Sequence, residues 1–159
     1  MSQEKRYMEL AALAGRRKLD SSYYVAFYLL SGNSGITRAA VSHVSMNGID
    51  FAAIKHAVRD FDEVDRQIVD VAHNLFSWNS KCKVNPFDMS RMGYPYMEQV
   101  CNALYIVADE FVVVIVKNEQ THEAEIVLNA ERYQSARHIY SRLAQMFEER
   151  AGEMEELSY

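Results

Sequence analysis

Proline, glycine and cysteine are scarce in this chain of 159 residues, which holds two Pro, six Gly and two Cys. So little Pro and Gly excludes collagen-like and low-complexity repeats, which depend on both. Two cysteines are too few for a disulfide framework, so a reducing cytoplasm is the expected setting. Since 49% of the residues are hydrophobic and the net charge is only −5, the composition is that of a folded domain.

Long apolar runs are also missing. The longest strictly apolar run, which contains no tyrosine, is residues 111–116 and has six residues, whereas a helix that spans a bilayer needs about 20. The charged start of the chain is followed by only a brief apolar patch, so no secretory signal is expected. We therefore predict no membrane partner.

Motifs of the common enzyme classes are absent as well. The chain has no phosphate loop, no Gly-x-Gly-x-x-Gly, no His-Glu-x-x-His, no Cys-x-x-Cys and no Gly-x-Ser-x-Gly. Glu119 and His122 have the spacing found in di-metal helix bundles, but this motif occurs once and lies in a predicted turn. We predict neither a cofactor nor a metal site, and the absences favour a protein that is not an enzyme.

Apolar stripes at helical spacing dominate what is present. Residues 23–30 are apolar on nearly every side, which predicts a buried central helix capped by Ser21 or Ser22. A clear amphipathic helix follows Asp62, with the stripe Val64, Ile68, Val71, Ala72, Leu75 and Phe76. Another follows Pro95, with the stripe Met97, Val100, Cys101, Leu104, Ala108 and Phe111, in which Cys101 is expected to be a small core residue.

The C-terminal third combines a predicted hairpin with a last helix. Residues 112–116 are β-branched and favour a strand, and residues 123–128 are its partner across a polar turn. Such a hairpin must pack on helices, since two strands alone are marginally stable. The predicted fold is α+β, mainly α, with six or seven helices and one hairpin near residues 111–128.

We expect the last helix to begin after Asn129, to end near Ala151 and to bury one face. That face holds Tyr133, Ala136, Tyr140, Leu143 and Phe147. Residues 1–151 then form one domain, and residues 152–159 an acidic, frayed tail. Residues 148–159 carry five acids and one base, whereas the first 18 residues carry five bases and two acids.

Three residues are candidates for catalysis. His73 lies beside the stripe of its helix, with Asp70 close by, which allows acid–base chemistry. Lys81 and Lys83 flank Cys82 and would lower the pKa of its thiol if it were exposed. These residues raise the alternative of a small hydrolase or transferase assembled around His73. The competing interpretation is a histidine bonded to a carbonyl or to water, and a thiol with no base near it.

Two further hypotheses concern partners. The leading one is a non-enzymatic intracellular binding protein whose partner is another protein or a second copy, with the edge of residues 112–116 as a pairing surface. The other is a DNA-associated regulator that uses a basic N-terminal surface. The overall acidity makes a nucleic-acid partner the less favoured one. That surface would join Arg6, Arg16, Arg17 and Lys18.

Four segments carry a resemblance to a group of proteins. They are residues 22–33 (Ser-Tyr-Tyr-Val-Ala-Phe-Tyr-Leu-Leu-Ser-Gly-Asn), 48–51 (Gly-Ile-Asp-Phe), 71–76 (Val-Ala-His-Asn-Leu-Phe) and 85–88 (Asn-Pro-Phe-Asp). In these segments the chain resembles small uncharacterised proteins encoded on prophages and conjugative elements of Gram-positive bacteria. The resemblance covers residues 20–110, assigns no activity to any residue, and implies an intracellular accessory role.

Overall fold

The structure, a computed structural model, describes residues 1–15 and 18–158. These residues form eight α-helices, one short 3-10 helix and two small antiparallel hairpins, which confirms the predicted mainly helical α+β class but exceeds the predicted six or seven helices and single hairpin. The helices are α1 (Gln3–Leu13), α2 (Ser21–Ser31), α3 (Ser34–Ala40), α4 (Phe51–Ala57), α5 (Glu63–Phe76), α6 (Pro86–Ser90), α7 (Tyr96–Val107) and α8 (Glu131–Leu157). The 3-10 helix is Val41–His43, and the strands are β1 (Val44–Ser45), β2 (Gly48–Ile49), β3 (Val112–Lys117) and β4 (Ala124–Asn129).

Helix α2 is the centre of the core, as its composition predicts. Every residue from Val25 to Ser31 is buried, and the helix contacts α1, α3, α5 and α7. The predicted cap is wrong, because Asp20 and neither serine occupies that position. Its carboxylate accepts hydrogen bonds from the backbone N–H groups of Ser22 and Tyr23. A negative charge there also interacts favourably with the positive end of the helix dipole.

Helix α5 buries the predicted stripe against α2. Ile68, Val71 and Ala72 are buried, and Val64, Leu75 and Phe76 are packed against the core at its margin. Phe76 meets the rings of Tyr23 and Phe51 at centroid distances of 5.0 and 5.5 Å. The stripe was predictable because the helical period alone determines which side chains share a face.

Helix α7 turns a different face to the core from the one predicted. Val100, Ala103 and Ile106 are buried, whereas Met97, Cys101 and Leu104 are exposed, so the core position expected for Cys101 is wrong. The sequence of α7 offers two overlapping apolar stripes. Contact with α2 and α5 decides between them, and it selects the stripe that contains the small side chain of Ala103.

The C-terminal hairpin forms as predicted, with residues paired from Val112 opposite Asn129 to Lys117 opposite Ala124. It rests on α1, where the backbone N–H of Ile126 donates to the carboxylate of Glu4 at 3.4 Å. A second, very short hairpin joins β1 to β2 around the turn signal Asn47-Gly48. Gly48 has φ = +131°, a conformation that residues with a side chain rarely adopt.

Helix α8 differs most from expectation. It runs to Leu157, six residues beyond the predicted end at Ala151, so most of the predicted tail, residues 152–159, continues the helix. None of residues 131–157, all of which the structure describes, is buried. The predicted inner face is therefore wrong. Amphipathic periodicity shows that a helix has an apolar face, but not that the same chain covers it.

No helix among the described residues combines the length and the apolar character that crossing a bilayer requires.

Candidate functional site

Asp70 joins three segments of the chain. On α5, its Oδ1 lies 3.1 Å from Lys55 Nζ on α4, and its Oδ2 accepts a hydrogen bond of 2.8 Å from the backbone N–H of Lys83. Partial burial opposes ionisation of the carboxyl, but the hydrogen bond from Lys83 and the charge of Lys55 outweigh it and lower the pKa of Asp70. Asp70 is therefore an ionised group that ties α4 and the segment after α5 together.

Cys82 lies next to this carboxylate, but its environment disfavours a thiolate. Partial burial raises the pKa of the Cys82 thiol, and the neighbouring charge of Asp70 raises it further. The Sγ atom lies 3.7 Å from the carbonyl oxygen of Val84, to which the thiol donates. The lowered pKa that the two flanking lysines would give an exposed thiol is not found, because burial has the largest effect on the sulfur and the charge of Asp70 adds to it.

His73 is the third of the predicted catalytic candidates and lies within the electrostatic influence of Lys55 and Asp70. Its ring stacks on Phe51 at a centroid distance of 4.7 Å and an angle of 15°. Partial burial and the charge of Lys55 lower the pKa of His73, against the opposing effect of Asp70. Among the described residues, the buried Nδ1 has no hydrogen-bond partner, so the predicted bond to a carbonyl is not seen at that atom.

The three candidates thus share a neighbourhood but not the states that nucleophilic catalysis needs. The raised pKa of the Cys82 thiol keeps it protonated, whereas the nucleophile of a cysteine enzyme is an activated thiolate. Asp70 lines an open groove, whereas His73 and Cys82 do not.

That groove has a volume of about 650 Å³ and lies between α4, α5 and the segment that leads into α6. Two of the acidic side chains that line the groove already have partners in the protein. Asp70 forms an ion pair with Lys55, and Asp88 accepts a hydrogen bond from the backbone N–H of Asn85. The charged residues that line it are the bases Lys55, Arg59, Arg66, Lys81 and Lys83 and the acids Glu63, Asp70 and Asp88. The groove therefore carries a surplus of positive charge. The groove was not predicted from the sequence, because its cations come from segments that are far apart in the chain. The one sequence feature that pointed to it was the closely spaced pair Lys81 and Lys83.

The predicted basic N-terminal surface is only partly described. The guanidinium of Arg6 faces the protein, where it donates to the carbonyl oxygen of Ser31 at 2.7 Å and to that of Met1. Lys18 is exposed, and Arg16 and Arg17 lie outside the described residues. The hydrogen bonds of Arg6 therefore stay within the protein, where the one to Ser31 joins the start of α1 to the end of α2.

Helix α8 has an apolar face that is exposed over most of its length. At the base of the helix, Tyr133 packs against Tyr105 and Phe111 at centroid distances of 5.1 and 5.8 Å. Beyond this aromatic anchor the large apolar side chains are open to solvent, with Tyr140 75% and Phe147 68% exposed. The others are Ile139, Leu143, Met146, Met154 and Leu157. Of these residues, Tyr140, Leu143 and Phe147 were predicted from the sequence to share one face, but a face turned to the core, whereas Met154 and Leu157 were placed in a frayed tail.

No three His, Cys, Asp or Glu side chains in the described part of the chain lie together in a group that would hold a metal ion. No protein-family model, curated protein or solved structure matches this chain. The function is therefore argued from the side chains themselves.

Proposed function

We propose that this chain is a non-enzymatic, cytoplasmic interaction protein and that α8 is the element that binds its partner. The observation that carries the proposal is a helix of 27 residues whose large apolar side chains are exposed along its length. Contiguous exposed apolar surface on a folded protein marks a site of interaction.

The length of α8 supports this role. A helix of 27 residues extends about 40 Å, and the aromatic anchor around Tyr133 holds only its first turn. Helices in water derive most of their stability from packing an amphipathic face rather than from intrinsic propensity. A helix of this composition is therefore expected to be stable in its functional state because a partner covers the face.

An accessory role of the kind that the resemblance implies needs a binding surface and no catalytic centre. The raised pKa of the Cys82 thiol, and the position of His73 and Cys82 outside the lining of the groove, favour this proposal over the hydrolase alternative. The inward-facing guanidinium of Arg6 favours it over a DNA-binding N-terminal surface.

Photo-cross-linking tests the proposal. A photoreactive phenylalanine analogue is placed at Leu143, on the apolar face, in cells that naturally express the chain. The matched control carries the analogue at Ser141, on the polar face of the same turn. We expect a cross-linked protein adduct from position 143 and none from position 141. Equal adducts from both positions, no adduct, or only a cross-link within one chain would contradict the proposal.

A second candidate function, the binding of an anionic ligand, is favoured by the surplus of positive charge in the groove. A ligand that binds the folded state raises the melting temperature by mass action. Inorganic pyrophosphate should therefore raise the melting temperature of the wild type more at low than at high salt. The double variant Arg66→Gln/Lys81→Gln should lose this shift, whereas Lys117→Gln, a cation on β3, should keep it. Equal shifts in all three proteins would exclude the groove.

A further inference from the structure

We infer that the partner of α8 is a second copy of this chain, whose α8 lies antiparallel to the first. The inference rests on the proposed function, because it names the partner of the same surface. It follows from the spacing of the apolar residues, from the distribution of charge along the helix, and from the register that satisfies both.

The apolar face of α8 has the spacing of a coiled-coil seam. Eight positions alternate in steps of three and four residues, which is the a and d pattern of a heptad repeat. They are Tyr133, Ala136, Tyr140, Leu143, Phe147, Arg150, Met154 and Leu157. Seven of the eight are apolar or aromatic, so the seam, as we call these positions, is suited to a partner helix along its whole length.

Charge along α8 is polarised. Residues 131–144 contain three arginines and one glutamate, whereas residues 145–157 contain five glutamates and one arginine. A parallel pair would place acidic half beside acidic half and basic half beside basic half. An antiparallel pair places the basic half of each copy beside the acidic half of the other, and it also opposes the two helix dipoles favourably.

One antiparallel register satisfies the seam. With the two-fold axis at Gln145, each seam residue faces a seam residue of the second copy: Leu143 faces Phe147, Ala136 faces Met154 and Tyr133 faces Leu157. The single polar seam residue, Arg150, faces Tyr140, and a guanidinium over a tyrosine ring makes a favourable cation–π contact. In a parallel pair, Arg150 of one copy would face Arg150 of the second copy inside the seam, and the two positive charges would repel each other.

The residues that flank the seam agree with this register. On one flank, Arg132 and Glu153 of the second copy lie on the same side of the seam, five residues apart along the axis, as do Ile139 and Met146. On the other flank, Ala144 and Ala151 of the second copy are likewise five residues apart, and their small side chains let the helices approach. Apart from Tyr140, which faces Arg150, the exposed apolar seam residues therefore find apolar or aromatic neighbours, and the flanking Arg132 and Glu153 carry opposite charges.

Light scattering after size-exclusion chromatography tests self-association. We expect twice the 18.3 kDa mass of one chain at high concentration and dissociation on dilution. Leu143→Glu places two carboxylates in the seam and should abolish the dimer, whereas Ser141→Glu on the polar face should keep it. Far-UV circular dichroism confirms that the body of each variant remains folded.

Charge reversal tests the orientation. Arg132→Glu alone and Glu153→Arg alone each turn two symmetric attractions into repulsions, which should weaken the dimer roughly tenfold. Mixing these two variants should restore it, because a mixed dimer contains only opposite-charge pairs at these positions. The double variant Arg132→Glu/Glu153→Arg should also restore it. No such rescue follows from a parallel pair or from a dimer through the edge of β3.

The outcomes separate this inference from the proposed function. A monomer at all concentrations, with cross-links from position 143 to a different protein, would overturn the second copy as partner and keep α8 as the binding element. A dimer that survives Leu143→Glu would also overturn the inference. A dimer lost with Leu143→Glu but unaffected by charge reversal would overturn the antiparallel register. A cross-link within a monomer, for example to the exposed face of α7, would overturn both proposals.

Discussion

Replacing Asp70 tests how the structure holds α4, α5 and the segment after α5 together. The side chains of Asp70 and Lys55 are 18% and 34% exposed, so their ion pair is partly screened and worth about 0.5–1 kcal/mol. The hydrogen bond from Lys83 N–H to the charged carboxylate adds about 1.5–2 kcal/mol. Asp70→Ala removes both interactions, and we expect a loss of about 2–3 kcal/mol in the free energy of unfolding.

Asp70→Asn separates the two contributions. The amide oxygen still accepts the hydrogen bond from Lys83, but the charge beside Lys55 is lost, so we expect a loss of only about 1 kcal/mol. Urea unfolding followed by circular dichroism measures both variants, as a lower midpoint with an unchanged slope. In a double-mutant cycle with Lys55→Met, the coupling energy should be about 0.5–1 kcal/mol.

The pH dependence of the free energy of unfolding tests whether the ionised form of Asp70 is the stabilising one. Because the pKa of Asp70 is lower in the folded protein than in the unfolded chain, its stabilisation is fully present above the ordinary aspartate pKa of about 3.9. It is lost as the pH falls through the folded value. The stability gap between the wild type and Asp70→Asn should therefore be full at neutral pH and narrow as the pH falls below about 4. A gap that stays constant, or a coupling energy of zero, would refute the assignment of an ionised, bridging Asp70.

Three further predictions concern other parts of the molecule. Gly152→Ala should stabilise α8 by about 0.5–1 kcal/mol, because an added Cβ meets no atom within 4 Å and alanine is the better helix former; reduced helicity by circular dichroism would show that residue 152 is not helical. Thr37→Val should cost about 1–2 kcal/mol in urea unfolding, since it removes a buried hydroxyl that donates to the carbonyl oxygen of Leu30 at 2.8 Å; an unchanged midpoint would show that this bond contributes nothing. Iodoacetamide should modify Cys101 faster than Cys82, because Cys101 is exposed whereas burial and Asp70 raise the pKa of the Cys82 thiol; peptide mass spectrometry after short exposure measures both rates, and faster modification of Cys82 would reinstate it as a reactive thiol.

Features that depend on near neighbours in the chain were predictable. The capping box of α6 is an example: Asn85 accepts from the backbone N–H of Asp88, whose carboxylate accepts from the backbone N–H of Asn85. These groups are three residues apart, so the sequence contains all of the interaction. The hairpin of β3 and β4 was predictable for the same reason, since β-branched residues and one short turn determine it.

Features in which two options compete locally were predicted less well. Asp20, Ser21 and Ser22 are all acceptable caps for α2, and the tertiary position of the helix start decided in favour of Asp20. Helix α7 has two overlapping apolar stripes, and burial of Val100 and Ala103 against neighbouring helices decided which one is the core face.

The candidate sites divide in the same way. The apolar face of α8 was predicted from the sequence as far as Phe147, because the helical period places its residues together wherever the helix lies. Whether that face is covered depends on residues far away in the chain, and only the three-dimensional arrangement shows that it is open. The pKa of the Cys82 thiol depends likewise on burial and on Asp70, twelve positions earlier in the sequence, and both raise it.

Helical periodicity, the cap of α6 and the turn of the C-terminal hairpin therefore followed from the amino-acid sequence of this chain, because each depends on atoms within about one helical turn or one hairpin. The core face of α7, the cationic groove, the protonated state of Cys82 and the exposure of α8 followed only from the tertiary structure. Burial and electrostatic fields arise from segments that folding brings together, and their strength depends on distances that no sequence spacing specifies.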